Sequence, residues 1–353
     1  MKRWVGGGIG VAALIAGSVL LVGNWLGWEI LTDDATTALT LQPGQSWDAA
    51  YEAAAFGDTI LLAGGDHGHQ TISSERGDRN AVNDHITFQG IVGVKVSLDD
   101  LDVYAAHITI RGIEVKGLSI EGSGDRHGGD VLIESVSIRS GDLTSARNVT
   151  YRDVEFGPNR DGASSRYPWP QDGLIVNAWP PWDGRHPRDI LFDRVRFHDV
   201  TAPISNAHSD CLQLTAGEDV TIRNSSFVRC EHANVMLAPD QGPIRNVVIE
   251  GNFFARTISA HYSINATSKS KPPSQWNQLT ITGNTELQGT RLDAPGITFT
   301  HNKRESMTAN MCSAAARAGS LIDSNTYRSG EKCGPNDVIE PEADLSFATW
   351  RAG

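Results

Sequence analysis

A six-residue phrase recurs nine times between residues 85 and 301 and constrains the fold more than any other feature. The second and fourth positions of each copy are apolar, and the sixth is mostly Gly, Asp, Asn or Ser. Apolar residues two apart are typical of a half-buried strand, and the sixth-position residues favour a left-handed corner. The copies are His85–Gly90, His107–Gly112, Asp130–Ser135, Asn148–Asp153, Asp189–Arg194, Asp219–Asn224, Asn246–Gly251, Gln278–Gly283 and Gly296–His301. Each copy is therefore predicted to be a strand that ends at a corner.

The spacing between copies is irregular, from 18 residues (130 to 148) to 41 residues (148 to 189), which indicates variable loops inserted into constant coils. A helical solenoid requires an apolar period near 3.6, and a β-propeller requires four strands in each even repeat. A sandwich does not repeat one phrase in one orientation. Stacked parallel coils, with Val, Ile, Leu and Phe forming a continuous core, satisfy the pattern.

This pattern resembles the right-handed parallel β-helix proteins of the pectate-lyase-like superfamily over roughly residues 46–305. The resemblance implies an all-β fold, a single-stranded right-handed parallel β-helix. Ser46 is a plausible N-cap for a short helix beginning at Trp47, which would cover the open end of the stack. Residues 306–353 lose the repeat and are predicted to form an irregular C-terminal cap.

The N-terminus predicts a membrane segment. Lys2 and Arg3 precede an uncharged, mostly apolar run from Trp4 to Trp28, and about 20 such residues are needed to span a bilayer. No good Ala-x-Ala cleavage site follows, so we expect an uncleaved signal anchor helix over 1–30 and a linker over 31–45. Cleavage near Ala38 is the alternative. The protein is thus expected to be membrane-anchored and facing the extracytoplasmic side, or secreted.

The net charge and the number of cysteines limit the possible partners and the cellular compartment of the protein. The net charge of −12 argues against nucleic-acid binding, which needs a basic face. Four cysteines suit an oxidising compartment, and they permit three pairings. We favour a Cys312–Cys333 bridge in the C-terminal region, and leave Cys211 as either bonded or free. We expect a monomer.

The longest insertion, Gly157–Arg188, is rich in aromatic residues and proline. Flat, rigid aromatic side chains in a polar loop suit stacking on sugar rings. Packing of the loop against the solenoid flank is the alternative. The aromatic residues are Tyr167, Trp169, Trp179 and Trp182.

The strands that pair with the phrases carry a concentrated set of polar residues. We expect their apolar residues to share one register, namely Leu174, Leu212, Val235 and Ile264. That register would bring to one rim the residues Asp172, Asp210, His232 and His261. Other polar residues of the same face or its edges are His208, Gln213, Glu231, Asn234 and Asn265. Such a groove predicts a polysaccharide-binding site.

Two enzyme chemistries fit this groove. A lyase must neutralise a uronate carboxylate, abstract the neighbouring proton and help the leaving oxygen depart. Calcium held by Asp172, Asp210 and Glu231 would do the first. A hydrolase needs an acid and a base carboxylate, roughly 6.5–9.5 Å apart if inverting. We favour the lyase. A glycoside hydrolase and a non-catalytic glycan- or envelope-binding surface protein are the alternatives.

A local run also resembles alginate lyases and chondroitinase B. It consists of Ser268–Ser270, Leu279–Thr285 and Gln288–Arg291, and the resemblance implies that Lys269 and Arg291 are catalytic. The acidic cation ligands expected before the Lys are missing from Ala260–Asn265. The candidate catalytic residues are therefore Asp210, His232, His261, Lys269 and Arg291. The candidate substrate-binding residues are Tyr167, Trp169, Trp179, Trp182, His208, Gln213 and Asn234.

Overall fold

The computed structural model describes residues 13–15, 18–20, 29–31, 38–73, 84–122, 129–159, 172–181, 184–201, 209–259, 261–267, 275–307, 312–313 and 319–352. Every structural statement below refers to these residues. Their strands stack as successive coils with up to three faces, which we call face 1, face 2 and face 3. Face 1 is one sheet, and the strands of faces 2 and 3 belong to one closed arrangement. The all-β solenoid expected from the repeat is confirmed.

Face 1 contains the repeat phrases, in one sheet of thirteen described strands. Its second-position residues pair in register, as in Val220 with Val247 and Val247 with Leu279. All neighbours are parallel except the first two strands, which are antiparallel. The strands are Glu29–Leu31, Ala38–Leu41, Thr59–Leu62, Ile86–Gly90, Ala106–Arg111, Gly129–Glu134, Arg147–Arg152, Arg188–Asp193, Gly217–Arg223, Ile244–Glu250, Trp276–Thr282, Ile297–Thr300 and Leu321–Asp323.

Most phrases begin and end with a residue that has left-handed backbone. In the copy that begins at Asp219, for example, Asp219 has φ 53° and Asn224 has φ 52°. The sixth position is the corner expected from the sequence. The first position interrupts the strand pairing. Asp189 and Asp219 are not paired, whereas the residues on either side of them are, Arg188 with Glu218 and Ile190 with Val220. The first position is occupied by Asp, Asn, His, Gln or Gly, because β-branched residues disfavour this backbone region.

Faces 2 and 3 follow the corner. In three early coils one strand turns from face 2 onto face 3: Val96–Val103, Glu114–Glu121 and Ser137–Thr144. The remaining face 2 strands are Gly65–Asp66, Glu155–Phe156, Arg196–Val200, Ser226–Cys230, Phe253–Phe254, Thr285–Glu286, Lys303–Met307, Thr326–Gly330 and Val338–Ile339. The remaining face 3 strands are His69–Ile72, Leu174–Asn177, Leu212–Leu214, Ala233–Leu237, Tyr262–Ala266 and Arg291–Leu292.

The core consists of ladders of like side chains on successive coils. The phenyl rings of Phe156, Phe197, Phe227 and Phe254 stack with centroids 4.8–4.9 Å apart. Beside the corner, a second ladder is formed by the buried amides of Asn252, Asn284, Asn302 and Asn325. These amides satisfy corner backbone groups that would otherwise be buried without partners.

The N-terminal end is covered as the sequence predicts. Helix α1, Trp47–Ala53, begins at the N-cap Ser46, whose Oγ accepts the Ala49 N–H at 3.2 Å. The indole of Trp47 stacks on Phe88 at 4.8 Å. The expected linker over 31–45 is partly wrong, because strand Ala38–Leu41 already pairs with face 1.

The coils also continue beyond the predicted boundary at 305. Strand Leu321–Asp323 joins face 1, and two more strands join face 2. The repeat is hard to recognise there because Ser320 stands at the apolar second position, where its Oγ accepts the Ile297 N–H. Helix α2, Phe347–Ala352, then packs back against Phe253 of face 2.

Most of the predicted anchor lies outside the described residues. Within it, Ala13–Ile15 and Ser18–Leu20 pair as antiparallel strands. Among the described helices, none combines the length and the apolar character needed to cross a bilayer. The membrane anchor therefore stays a prediction.

The four cysteines form two disulfide bridges. Cys312 bonds to Cys333, as expected, and Cys211 bonds to Cys230, which resolves the alternative left open by the sequence. Two disulfides indicate folding in an oxidising compartment.

Candidate active site

The register expected for face 3 is confirmed. Leu174 pairs with Leu212, Leu212 with Val235, and Val235 with Ile264. All four side chains are buried. The residues that precede these strands therefore meet at one edge of face 3, where it adjoins face 2.

Asp172 stands at this edge with an altered acidity. Its Oδ1 accepts the backbone N–H of Asp210 at 2.7 Å. Burial, followed by the negative charge of Asp210, raises the pKa of Asp172 to about 8. A carboxyl group with that pKa keeps its proton at neutral pH, and can donate it.

Asp210 forms a buried pair with His232. The carboxylate is 2% exposed, and its Oδ1 accepts a hydrogen bond from His232 Nδ1 at 2.9 Å and from the Ala233 N–H at 2.8 Å. The carboxylate therefore holds the neutral imidazole in the tautomer with hydrogen on Nδ1, in which Nε2 carries the lone pair. This is the arrangement of an oriented general base.

His261 lies against His232, with the ring centroids 4.7 Å apart. Its Nδ1 is 2.7 Å from Ser259 Oγ, and that hydroxyl donates to the Glu231 carbonyl oxygen. Because the hydroxyl hydrogen is already donated to the Glu231 carbonyl oxygen, Ser259 Oγ accepts a hydrogen bond from the Nδ1–H of His261. His261 is exposed and so presents its Nε2 to solvent.

The Cys211–Cys230 disulfide braces this cluster. Cys211 follows Asp210 directly, and Cys230 lies two residues before His232. The bridge thus joins the two coils that carry the Asp–His pair. The sequence did not assign this role to the cysteines, because four cysteines leave their pairing open.

The outward row of face 3 brings together Gln213, Met236, Asn265 and Arg291, one from each successive coil. Arg291 forms an ion pair with Asp293 at 2.5 Å. Asn234 is fully buried and donates to the Ala255 carbonyl oxygen at 2.8 Å. Burial disfavours the direct contact with substrate predicted for Asn234.

The predicted calcium ligands do not fit a calcium site in this conformation. In the described part of the chain, Asp172, Asp210 and Glu231 do not bring three ligand atoms within 4.8 Å of one another. Asp210 Oδ1 already holds His232 and the Ala233 N–H, and Asp172 favours its protonated form. Calcium requires six to eight oxygen ligands. No catalytic step is derived through calcium.

Among the predicted aromatic residues, the structure describes Trp179. Its side chain is 60% exposed, and its main chain is held on both sides by Ser145 Oγ. Exposure favours sugar stacking over packing against the flank. The other predicted residues that lie outside the described part of the chain are Tyr167, Trp169, Trp182, His208 and Lys269.

Comparison with known proteins supports the fold. No protein-family model matches the sequence, and no curated protein matches it. A surface adhesin of Streptococcus pneumoniae, PfbA, is similar with TM-score 0.50 and 10% identity, covering 84% of this chain and 88% of the adhesin. Pectate lyase Pel9A gives TM-score 0.39 and 14% identity, over 85% and 73% of the two chains. The A-module of Azotobacter vinelandii mannuronan C-5 epimerase AlgE4 gives 0.38 and 14%, over 83% and 93%.

Proposed function

We propose that this chain, a right-handed parallel β-helix of the pectate-lyase-like superfamily, is a polysaccharide lyase that cleaves a uronate polymer by β-elimination. The observation that carries the proposal is the position of Asp172, which accepts the backbone N–H of Asp210, next to the hydrogen-bonded Asp210–His232 pair. The raised pKa of Asp172 suits it to act as the acid. An acid and a base at one edge of a solvent-facing sheet are the two groups that elimination requires. We further propose that the N-terminal anchor holds the enzyme outside the cytoplasm.

The reaction follows from these two groups. His232 removes the proton beside the uronate carboxylate through Nε2, while Asp210 stabilises the imidazolium that forms. The electron pair of the broken C–H bond forms the carbon–carbon double bond, and the glycosidic oxygen leaves. Asp172 gives that oxygen its proton. The products are one unsaturated end and one ordinary end.

His261 is proposed to assist by charge. When protonated, it has an exposed N–H beside His232, and this group can bind the uronate carboxylate. Binding the carboxylate makes the neighbouring proton easier to remove, because negative charge develops on that group in the transition state.

Hydrolysis is less well supported by the same geometry. An inverting hydrolase needs a carboxylate that activates water opposite the acid. Asp210, the carboxylate next to Asp172, is buried and its Oδ1 is occupied by His232 and the Ala233 N–H. The candidate base at this edge is the imidazole of His232, whose side chain is 12% exposed.

Substrate binding is proposed to extend across face 3 to Trp179. Trp179 lies seven positions after Asp172, beyond the strand Leu174–Asn177, a span of up to about 23 Å at ~3.3 Å per residue. That distance accommodates several sugar units. The exposed indole would then hold a sugar ring away from the reacting bond.

The test is to incubate the full-length protein with a panel of uronate polymers and follow the ultraviolet absorbance of unsaturated ends. We expect product with at least one polymer. His232→Ala and Asp172→Asn should each lower the rate by about 10²-fold or more. His69→Ala is the matched control for His232→Ala. His69 also pairs with an aspartate on face 3, at 3.0 Å, but it lies six coils from His232, or about 29 Å at ~4.8 Å per coil.

Two outcomes would contradict the proposal. The first is the absence of product from every polymer while the protein still binds one of them, which would support the non-catalytic glycan-binding alternative. The second is a His232→Ala variant that keeps the rate of the His69→Ala control.

A further inference from the structure

We propose that face 1 carries a zinc-binding site formed by His85, His107 and Asp130. The three side chains offer ligand atoms that all lie within 4.8 Å of one another. His85 Nε2 is 3.2 Å and His107 Nδ1 is 2.5 Å from Asp130 Oδ2. Two imidazole nitrogens and one carboxylate oxygen are donors that zinc prefers in proteins.

The solenoid brings these residues together. They occupy the first position of three successive repeat phrases, and the following residues Ile86, Ile108 and Val131 pair in register. The first positions therefore stack one above another on the outside of face 1. His107 and Asp130 both have left-handed backbone, with φ of 57° and 54°.

A second layer of hydrogen bonds orients the ligands. Asn148, from the next phrase, donates to Asp130 Oδ1 at 2.7 Å, which leaves Oδ2 facing the histidines. His85 Nδ1 lies 2.8 Å from Thr109 Oγ1. When that hydroxyl accepts a hydrogen bond from the Nδ1–H, the lone pair of His85 lies on Nε2, which faces the site. Bound histidines in metal sites are held in this way through their other ring nitrogen.

The distances suit a small cation. Zinc bonds of about 2.0–2.2 Å place neighbouring ligand atoms about 3.2–3.6 Å apart. The His85–Asp130 separation of 3.2 Å already fits, and the His107–Asp130 separation needs to open by less than about 1 Å. The ligand side chains are 19–31% exposed, so one coordination position remains open to water.

Calcium does not suit this site, because two of its three donors are nitrogen and calcium prefers oxygen ligands. The site also stands apart from the proposed lyase cluster, which belongs to face 3, so neither proposal depends on the other. Zinc would join three successive coils beside the N-terminal cap, where the ring of Phe56 contacts His107 edge-on at 5.7 Å. We infer that the site stabilises this end of the solenoid.

The experiment is titration of the metal-free, full-length protein with zinc chloride by calorimetry, with the bound metal counted by mass spectrometry after dialysis. We expect one zinc ion per chain and a higher melting temperature in zinc than in calcium. Asp130→Asn and His107→Ala should each weaken binding at least tenfold, and Asn148→Ala should weaken it about tenfold. His186→Ala is the matched control, because His186 pairs with Glu218 at 3.1 Å and no third metal ligand joins them in the described part of the chain.

Asp130→Asn keeps the shape of the side chain, so it tests the site even if His107→Ala fails to fold. The proposal is overturned if the wild-type protein takes up no stoichiometric zinc. It is equally overturned if Asp130→Asn binds zinc as tightly as the His186→Ala control.

Discussion

Replacing Asp172 by Asn should remove a specific pH dependence of stability. Burial and the charge of Asp210 raise the pKa of Asp172 to about 8 in the folded protein, against an ordinary value of 3.8. The folded state therefore keeps a proton that the unfolded chain releases. The stabilisation from this proton is fully present below about pH 4 and is lost as the pH rises to about 8.

The magnitude follows from the difference of about four pKa units. At ~1.4 kcal/mol per unit, it sets an upper limit of about 6 kcal/mol. Asp172 is partly exposed, and solvent screening reduces the expected loss between pH 5 and pH 8 to about 2–3 kcal/mol. Asp172→Asn cannot lose a proton, so it should escape this loss.

The assay is urea unfolding of both proteins at pH 5 and pH 8, with Asp240→Asn, an exposed loop position, as control. The free energy of unfolding should fall by about 2–3 kcal/mol more in the wild type and the control than in Asp172→Asn. Parallel pH profiles of wild type and Asp172→Asn would refute the reasoning, and with it the assignment of Asp172 as an acid at neutral pH.

Three further predictions concern the core and the groove. Asn284→Ala should lower the free energy of unfolding in urea by about 3–4 kcal/mol, because the Asn284 amide forms hydrogen bonds with three neighbours in the buried ladder. The control Asn277→Ala, at an exposed position, should change the free energy of unfolding by less than ~0.5 kcal/mol. Trp179→Ala should weaken glycan binding about tenfold in an affinity titration without changing the melting temperature, because the indole is exposed. Glu286 and Arg304 form a fully buried ion pair in which burial raises the pKa of the Glu286 carboxyl. In a double-mutant cycle followed by urea unfolding, Glu286→Leu should lower the free energy of unfolding by about 3–5 kcal/mol. Arg304→Met should lower it less, because the Glu286 carboxyl can take up a proton. The double variant should lower it by about 1 kcal/mol or less.

Much of the fold is predictable from the sequence, because stacking repeats one local requirement. Each phrase needs two inward apolar residues and a left-handed corner, and both requirements are visible in residue types. The left-handed first position was not expected, although Asp219 and Asn246 show the residue types that favour it. The end of the solenoid was predicted too early, since Ser320 replaces the apolar residue that marks a phrase.

The candidate site is predictable only in outline. Register alone brings Asp172, Asp210, His232 and His261 to one edge, because parallel coils carry equivalent positions to the same place. The chemistry of each group depends on contacts that spacing does not encode. Ser259, which orients His261, has no recognisable motif.

Spacing also does not show which way a side chain points. Asn234 lies in a strand with alternating apolar residues, yet its side chain is fully buried and its amide donates to the Ala255 carbonyl oxygen. Arg291 is accounted for by its ion pair with Asp293, two residues away. Both roles depend on local packing.

The most direct test of the proposed chemistry is mass spectrometry of the fragments released from a uronate polymer in oxygen-18 water. Elimination through His232 and Asp172 predicts an unsaturated fragment that is lighter by one water than the corresponding hydrolysis product. In incubations kept short relative to the spontaneous exchange of the reducing-end oxygen, it also predicts no label from the solvent. Fragments that lack an unsaturated end and carry one oxygen-18 atom at the new reducing end in the same short incubations would show hydrolysis, and would contradict the assignment of His232 as the base of an elimination reaction.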